Sequence, residues 1–360
     1  MKIAILSMQR VINCGSVLQA YSLKKILEDI LNQKVDFLDP EHSEYVPSKV
    51  LAKDKEDYTD LPYISGCKAF YVVKKGINKY KKKIFEKKIK YFQKDVLELS
   101  SDNNNKNYDV VVEGSDEVFK SRDKIYLDMH GELKNAKKII TYAASCGSVE
   151  YNSIPQKYIS RIKKAMNNFE AMSVRDDSTY EYVRNIYTKG IEKHLDPVLV
   201  GNLSQREHKR VKDSKYILVY AYGDRIRTKN EIEAICKFAK EKKLKTIAVG
   251  SYQYWCDKFV PTSPFETLDY FYHADYVVTD TFHGAIFSII NNCKFAVILR
   301  ESNKNKINML LSQLGLSSRI VGDMKDIHSI LDKTIDYNEV KKILDLERKR
   351  TYKYLEKNVQ

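Results

Sequence analysis

The sequence predicts an α/β protein with two parallel-sheet domains facing each other across a cleft. Three observations predict this. Short apolar runs alternate with helix-period segments, the alternation occurs as two separate series, and a polar stretch without apolar periodicity divides them. The length, 360 residues, suits two domains of roughly 150 residues each.

The first series opens with a strand from Lys2 to Leu6 and a polar turn through Asn13, Cys14, Gly15 and Ser16. A helix follows, with Val17, Leu18, Tyr21, Leu23, Ile26, Leu27 and Ile30 in helical period, and then a strand from Val35 to Leu38. Strand, helix and strand in that order form a βαβ unit, and the same grammar returns at Asp109 to Glu113, Ile139 to Tyr142 and Ala171 to Val174. These place a first α/β domain at residues 1–200. From Asp196-Pro197 to Ser214 the chain turns polar and charged, and 201–214 reads as a linker.

The second series, in a domain at 215–335, runs through strand Tyr216 to Tyr222, helix Asn230 to Lys242 and strand Lys245 to Val249. Helix Pro264 to His273, strand Asp275 to Thr279, helix His283 to Asn292 and strand Phe295 to Leu299 continue it. In the final segment, 336–360, Val340, Ile343, Leu344 and Leu355 share a helical face, which predicts a helix that packs back on the body of the protein. Ligands of open parallel sheets bind beyond the carboxyl ends of the strands, so the cleft is the expected site.

One stretch breaks the alternation. Residues Lys68 to Lys94 contain eleven lysines and one acid, Glu86, while Phe70, Val73, Ile77, Tyr80, Ile84 and Tyr91 recur at heptad-like spacing. This predicts an amphipathic helix with a lysine face. Three readings stand for that face: a solvated surface, a dock for anionic membrane or acidic polymer, and nucleic acid, the last without any recognition motif to support it.

Composition narrows the function classes. With 43% hydrophobic and 31% charged residues the chain is neither disordered nor fibrous. No apolar run approaches the roughly 18–20 residues that span a bilayer, and the start turns polar too early for a secretion signal, so the expectation is a cytoplasmic protein, with contact at the inner membrane face a further one. Cys14, Cys67, Cys146, Cys236, Cys256 and Cys293 are widely spread without a C-x-x-C pair, which argues for reduced thiols and against a zinc ribbon. No metal-ligand cluster is evident, and neither metal nor cofactor is expected. The net charge of +14 favours anionic partners.

Four segments sit where strands end and loops begin. Asn13, Gly15 and Ser16 precede the first helix, where Gly15 permits close backbone approach and free helix-start N–H groups can hold an anion. The spacing is neither a Walker loop nor G-x-G-x-x-G. Gly114, Ser115 and Asp116 follow one buried strand, and Ser145 with its small neighbours follows another. Both can be simple turns or hydroxyl-binding loops, and Ser145 lies outside a G-x-S-x-G elbow. The fourth segment is Thr281, Phe282, His283 and Gly284. His283 stands at a helix start, where the dipole disfavours the imidazolium and a bound anion favours it. It is either an acid–base residue or a structural hydrogen-bonder. Arg175, at another strand end, can grip a carboxylate or phosphate with two parallel hydrogen bonds, or pair with Asp176, Asp177 or Asp196.

Together, N-C-G-S-V-L-Q-A-Y-S-L at 13–23, V-V-E-G-S-D-E-V-F at 111–119, T-Y-A-A-S-C-G at 141–147, S-V-R-D at 173–176, D-P-V-L at 196–199 and T-D-T-F-H-G-A-I-F-S at 279–288 resemble the polysaccharide pyruvyl transferase family. The resemblance implies two Rossmann-like domains similar to the type-B glycosyltransferase fold. It also implies transfer of the enolpyruvyl group of phosphoenolpyruvate to two hydroxyls of a sugar in a cell-surface or exopolysaccharide, giving a pyruvate ketal. In the better-described branch of that family an Arg-Leu pair precedes the histidine, whereas Thr281-Phe282 stand here. Relatives also read G-S-D-Q-V-W where this chain has Glu117 and Phe119.

On that resemblance His283 and Asp116 are the expected catalytic residues, and Arg175, Thr281, Phe282 and Gly284 the donor-binding ones. Asn13, Gly15, Ser16, Gly114, Ser115 and Ser145 form the expected acceptor or phosphate loops. The expected partners are phosphoenolpyruvate as co-substrate and a glycan or lipid-linked oligosaccharide, with no nucleic acid. The C-terminal domain is the expected donor side and the N-terminal domain the acceptor side. Two rivals remain: a nucleotide-sugar glycosyltransferase of the same architecture, and a non-catalytic binder of acidic polymer or anionic membrane.

Overall fold

Why the two series become two sheets is visible in the burial of their strands. The computed structural model describes residues 1–41, 43–45, 68–120, 124–223 and 225–360. The first half runs β1 (Ile3–Leu6), α1 (Cys14–Leu31), β2 (Asp36–Leu38), β3 (Ser43–Tyr45), α2 (Lys68–Asp95), β4 (Tyr108–Glu113), β5 (Lys124–Tyr126), β6 (Ala136–Thr141), α3 (Gln156–Met166), β7 (Phe169–Val174), α4 (Asp177–Arg184) and β8 (Ile191–Lys193). α5 (Pro197–Val200) then leads to β9 (Tyr216–Tyr220), α6 (Lys229–Glu241), β10 (Lys245–Val249), β11 (Lys258–Val260), α7 (Pro264–Tyr272), β12 (Tyr276–Thr279), α8 (Phe282–Ile290) and β13 (Phe295–Ile298). α9 (Lys304–Gln313), β14 (Ile320–Val321), α10 (Ile327–Asp332) and α11 (Tyr337–Val359) complete the chain.

The first sheet has the order β2-β1-β4-β6-β7-β8 and the second β11-β10-β9-β12-β13-β14, six strands each. Every pairing within them is parallel, with Ile5 opposite Val112 in one and Val278 opposite Val219 in the other. β3 and β5 form a separate antiparallel pair. Parallel sheets bury both faces, which is why β9 (Tyr-Ile-Leu-Val-Tyr) and β13 (Phe-Ala-Val-Ile) are apolar throughout and wholly buried. In each sheet the chain reverses its lateral direction beside the first strand, between β1 and β4 and between β9 and β12. Loops diverge there and leave a crevice.

One continuous core joins the lobes. Val17, Leu18 and Leu23 of α1, Leu199 of α5, Ile286 and Phe287 of α8 and Leu355 of α11 belong to the same buried cluster. α8 is buried along its whole length, as a helix apolar on every side must be. α11 lies against the first domain: Tyr354 Oη donates to Thr141 O at 2.9 Å and Arg348 Nε to Val200 O at 2.8 Å.

Two sequence expectations need adjustment. The patternless stretch after Asp196 starts with α5, whose Val198, Leu199 and Val200 are buried; four residues are too few to show a period. In α2 the buried stripe is Phe85, Ile89 and Phe92, whereas Tyr80 and Tyr91 are 67% and 68% exposed. The helix carries two adjacent apolar stripes, and the purely hydrocarbon one turns inward while the tyrosines keep their hydroxyls in water. Phe70, Val73 and Ile77 have side chains outside the described set. α2 also bridges the lobes, with Lys88 Nζ 2.7 Å from Glu266 and Lys81 Nζ donating to Phe259 O at 3.0 Å. Among the described residues Cys14, Cys146, Cys236, Cys256 and Cys293 are free thiols, and Cys67 lies outside them. No described helix is long and apolar enough to cross a membrane.

Candidate active site

The two crevices face each other and enclose a chamber of about 670 Å³. The first domain contributes Asn13 and Ser16 at the start of α1, Asp116 and Glu117 after β4, and Arg175 after β7. The second contributes Tyr222 and Arg225 after β9, Phe282 and His283 at the start of α8, and Lys306 on α9.

Asp196 ties the chamber together from behind. As N-cap of α5 its Oδ1 accepts the Val198 N–H at 3.0 Å, with Pro197 fixing the first helical turn. Its Oδ2 accepts from Arg175 Nη1 at 2.8 Å and lies 3.5 Å from His283 Nε2. The second separation is a charge contact rather than a good hydrogen bond. Burial would raise the Asp196 pKa, but His283 and Arg175 hold it below the ordinary carboxylate value. For Arg175, burial would lower the pKa; Asp196, Asp116 and Asp176 outweigh it and keep the guanidinium charged.

Arg175 is therefore paired, with Asp196 rather than Asp177, yet its Nη2 and Nε atoms have no hydrogen-bond partner. Its guanidinium carbon sits 4.5 Å from the centre of the Phe282 ring, a cation–π contact across the domain boundary. His283 Nε2 is likewise buried without a hydrogen bond. Gly15 packs so closely on the imidazole that a β-carbon there would overlap it. Three buried nitrogens without hydrogen-bond partners, two on Arg175 and one on His283, thus belong to the two side chains that contact the Asp196 carboxylate.

Asp116, in the left-handed region at φ +80°, accepts from Ser16 Oγ at 2.7 Å and lies 3.8 Å from Arg175 Nη2. Glu117 bridges the lobes through Lys306 at 2.6 Å and pairs within its own loop with Lys120 at 2.7 Å. Burial would raise its pKa, but those two ammonium groups hold it well below the usual range. Behind Tyr222, burial pushes the Asp280 carboxyl up to about 6 against the opposing charges of Arg300 and Arg225.

The expected residues divide into two groups. Asn13, Ser16, Asp116, Arg175, Phe282 and His283 line the chamber. Gly114, Ser115 and Ser145 form its backing: Ser115 Oγ donates to Ala143 O at 2.9 Å, and Ser145 Oγ to Asp176 Oδ2 at 2.7 Å. A β-carbon on Gly114 would overlap Tyr142 O, and one on Gly284 would overlap Thr279. At both helix starts the cap side chain takes up part of the N–H groups expected for an anion. Asn13 Oδ1 accepts from Gly15 and Ser16, and Thr281 Oγ1 accepts from Gly284 at 2.9 Å. Good N-cap residues satisfy the very donors that an anion would need. Sequence reasoning had no site role for Asp196, Glu117, Arg225 and Lys306. Asp196 had a readable cue, an Asp-Pro pair opening a helix, and Glu117 lies inside one of the family-like motifs; Arg225 and Lys306 have none beyond their charge.

The profile of the family described as "Polysaccharide pyruvyl transferase" matches residues 13–302, a span holding every chamber residue except Met8, Val11, Asn303 and Lys306. The chain belongs to this family. A transferase that acts on polysaccharide is thereby indicated. A search of curated proteins gives no significant match. Among solved structures, UDP-GlcNAc 2-epimerase of Methanocaldococcus jannaschii aligns at TM-score 0.51 and 14% identity, over 98% of this chain and 100% of the other. Arabidopsis thaliana UGT89C1 complexed with UDP-L-rhamnose aligns at TM-score 0.50 and 10% identity, over 99% and 98%. At such identities the likeness establishes the fold: two Rossmann-like domains in the arrangement of type-B glycosyltransferases.

Proposed function

We propose that this pyruvyl transferase family member moves the enolpyruvyl group of phosphoenolpyruvate onto a pair of sugar hydroxyls. One observation carries the reading: Arg175 and His283, each with a buried nitrogen that lacks a hydrogen bond, both contact one buried carboxylate, Asp196, in a chamber that also holds Arg225 and Lys306. The donor has a carboxylate and a phosphate, and a small doubly acidic molecule needs such a cluster of cations. Thr281 stands where the better-described branch of the family carries an arginine, and Arg225 or Lys306 supplies the missing charge from a neighbouring loop or helix.

In this scheme His283 gives a proton to the methylene carbon C3 of the donor, which becomes the methyl group and leaves C2 electrophilic. A sugar hydroxyl oxygen bonds to C2 and its proton returns to the imidazole. The C2–O bond to phosphate then breaks, the second hydroxyl oxygen bonds to C2, and its proton leaves with the phosphate. Both hydroxyl protons are accounted for, and no oxidant or reductant is required. Arg175 grips the donor anion, Asp116 orients the acceptor diol, and Asp196 holds Arg175 and His283 in place.

The decisive experiment incubates the protein with phosphoenolpyruvate and a panel of glycans. Phosphate release that depends on the glycan, with a product heavier by pyruvate less one water, supports the reading. Nucleotide release from a sugar nucleotide, without phosphoenolpyruvate turnover, overturns it in favour of a glycosyltransferase.

A further inference from the structure

A second cavity, of about 690 Å³, lies between the basic helix α2 and the carboxyl ends of β9, β10 and β12. It shares Asn13, Tyr222 and His283 with the first chamber, so the imidazole forms part of the wall between two compartments. Its roof presents Lys79, Lys82 and Glu86, and its floor includes Tyr252 and Gly250. The ties from Lys81 and Lys88 to the second domain keep that roof in place.

We propose that this cavity is the acceptor compartment, and that it takes a sugar carrying a phosphate, whose charge Lys79 and Lys82 meet. Lysines three apart on a helix sit on one face, roughly 5–6 Å apart at their β-carbons, so both ammonium groups reach a single phosphate. Lysine serves as a point charge for phosphate, whereas paired recognition of carboxylate favours arginine, which is missing from this lining. The tyrosines offer flat faces to a sugar ring, and Tyr222 is already stacked on Arg225 at 4.7 Å. A sugar whose phosphate is held here extends its hydroxyls past the shared wall of Asn13, Tyr222 and His283 towards Asp116 in the adjoining chamber. The inference rests on reading the adjoining chamber as the donor site.

Calorimetric titration tests it with defined probes: N-acetylglucosamine 1-phosphate, its neutral methyl glycoside, UDP-N-acetylglucosamine, farnesyl-diphosphate-linked N-acetylglucosamine, and phosphoenolpyruvate. The expected result is binding of at least one phosphorylated sugar about 10-fold or more tightly than the methyl glycoside, the scale of one charge-assisted hydrogen bond. The K79M/K82M double variant should lose that preference while its phosphoenolpyruvate affinity is unchanged. A uridine or a farnesyl diphosphate arm that binds more tightly than the monophosphate tells a nucleotide carrier from a lipid one. Equal binding of neutral and phosphorylated sugars by the wild type overturns the proposal, as does a preference that survives the double variant. Failure of the donor reading looks different: phosphoenolpyruvate then neither binds nor turns over, whatever the sugars do.

Discussion

Asp196 Oδ2 lies 3.5 Å from His283 Nε2 while holding the Arg175 guanidinium at 2.8 Å, so one buried carboxylate sets the position of both groups assigned to the donor. Asp196→Asn keeps the α5 cap but removes the charge. Turnover with phosphoenolpyruvate should fall about 100-fold, the scale of a positioned proton-transfer group. Breaking a buried ion pair should cost about 3–5 kcal/mol in denaturant unfolding. Near wild-type kinetics would reject the positioning role.

His283→Ala removes the proposed acid–base group itself. Phosphate release from phosphoenolpyruvate should drop roughly 100-fold or more, with the fold retained by circular dichroism. A variant as active as the parent would show that the proton comes from elsewhere.

Gly15→Ala is a finer probe of the same imidazole, because the added methyl group overlaps the ring. Displacement by about 1 Å should cost on the order of 100-fold in turnover. Gly190→Ala, where nothing lies within 4 Å of the new β-carbon, is the control and should leave rates unaltered.

The Glu117–Lys306 bridge at 2.6 Å joins a loop of the first domain to α9 of the second. Lys306→Met removes both this bridge and a cation of the chamber. The KM for phosphoenolpyruvate should rise about 10-fold or more, with kcat changing less, since a charged hydrogen bond is worth roughly 1.5–3 kcal/mol. Steady-state kinetics over a range of donor concentration reads the split.

Acid stability follows from two buried histidines. Burial pushes His130 and His194 down to about 4. In the unfolded chain an imidazole takes up its proton near 6.5, so the unfolded state binds more protons between those values. Stability should therefore fall as pH drops from about 6.5 towards 4, by roughly 3 kcal/mol for each fully neutral histidine. His194→Phe should flatten the slope of thermal midpoint against pH in that window. An unchanged slope would assign the acid sensitivity to other groups.

The central strands were legible because parallel sheets bury both faces, so Val110-Val111-Val112 and Tyr276-Val277-Val278 announce themselves. The edges were not: β8 is Ile-Glu-Lys, β11 is Lys-Phe-Val and β14 is two residues long, so neither alternation nor an apolar run marks them. The site followed the same division. Asp116, Arg175 and His283 each follow a buried strand closely, and a strand end is where a polar residue stands out. Arg225 and Lys306 are two of 62 basic residues and acquire meaning only from what folding brings beside them.

The docking of α11 on the first domain has a consequence for synthesis. Tyr354 and Leu355 cover a surface made from residues translated some two hundred positions earlier, with Tyr354 bonded to Thr141. While the ribosome is still reading the second half, that flank of the nascent amino-terminal lobe has no permanent cover. That patch is sealed only when the helix emerges, which makes the lobe's maturation depend on the chain reaching that point.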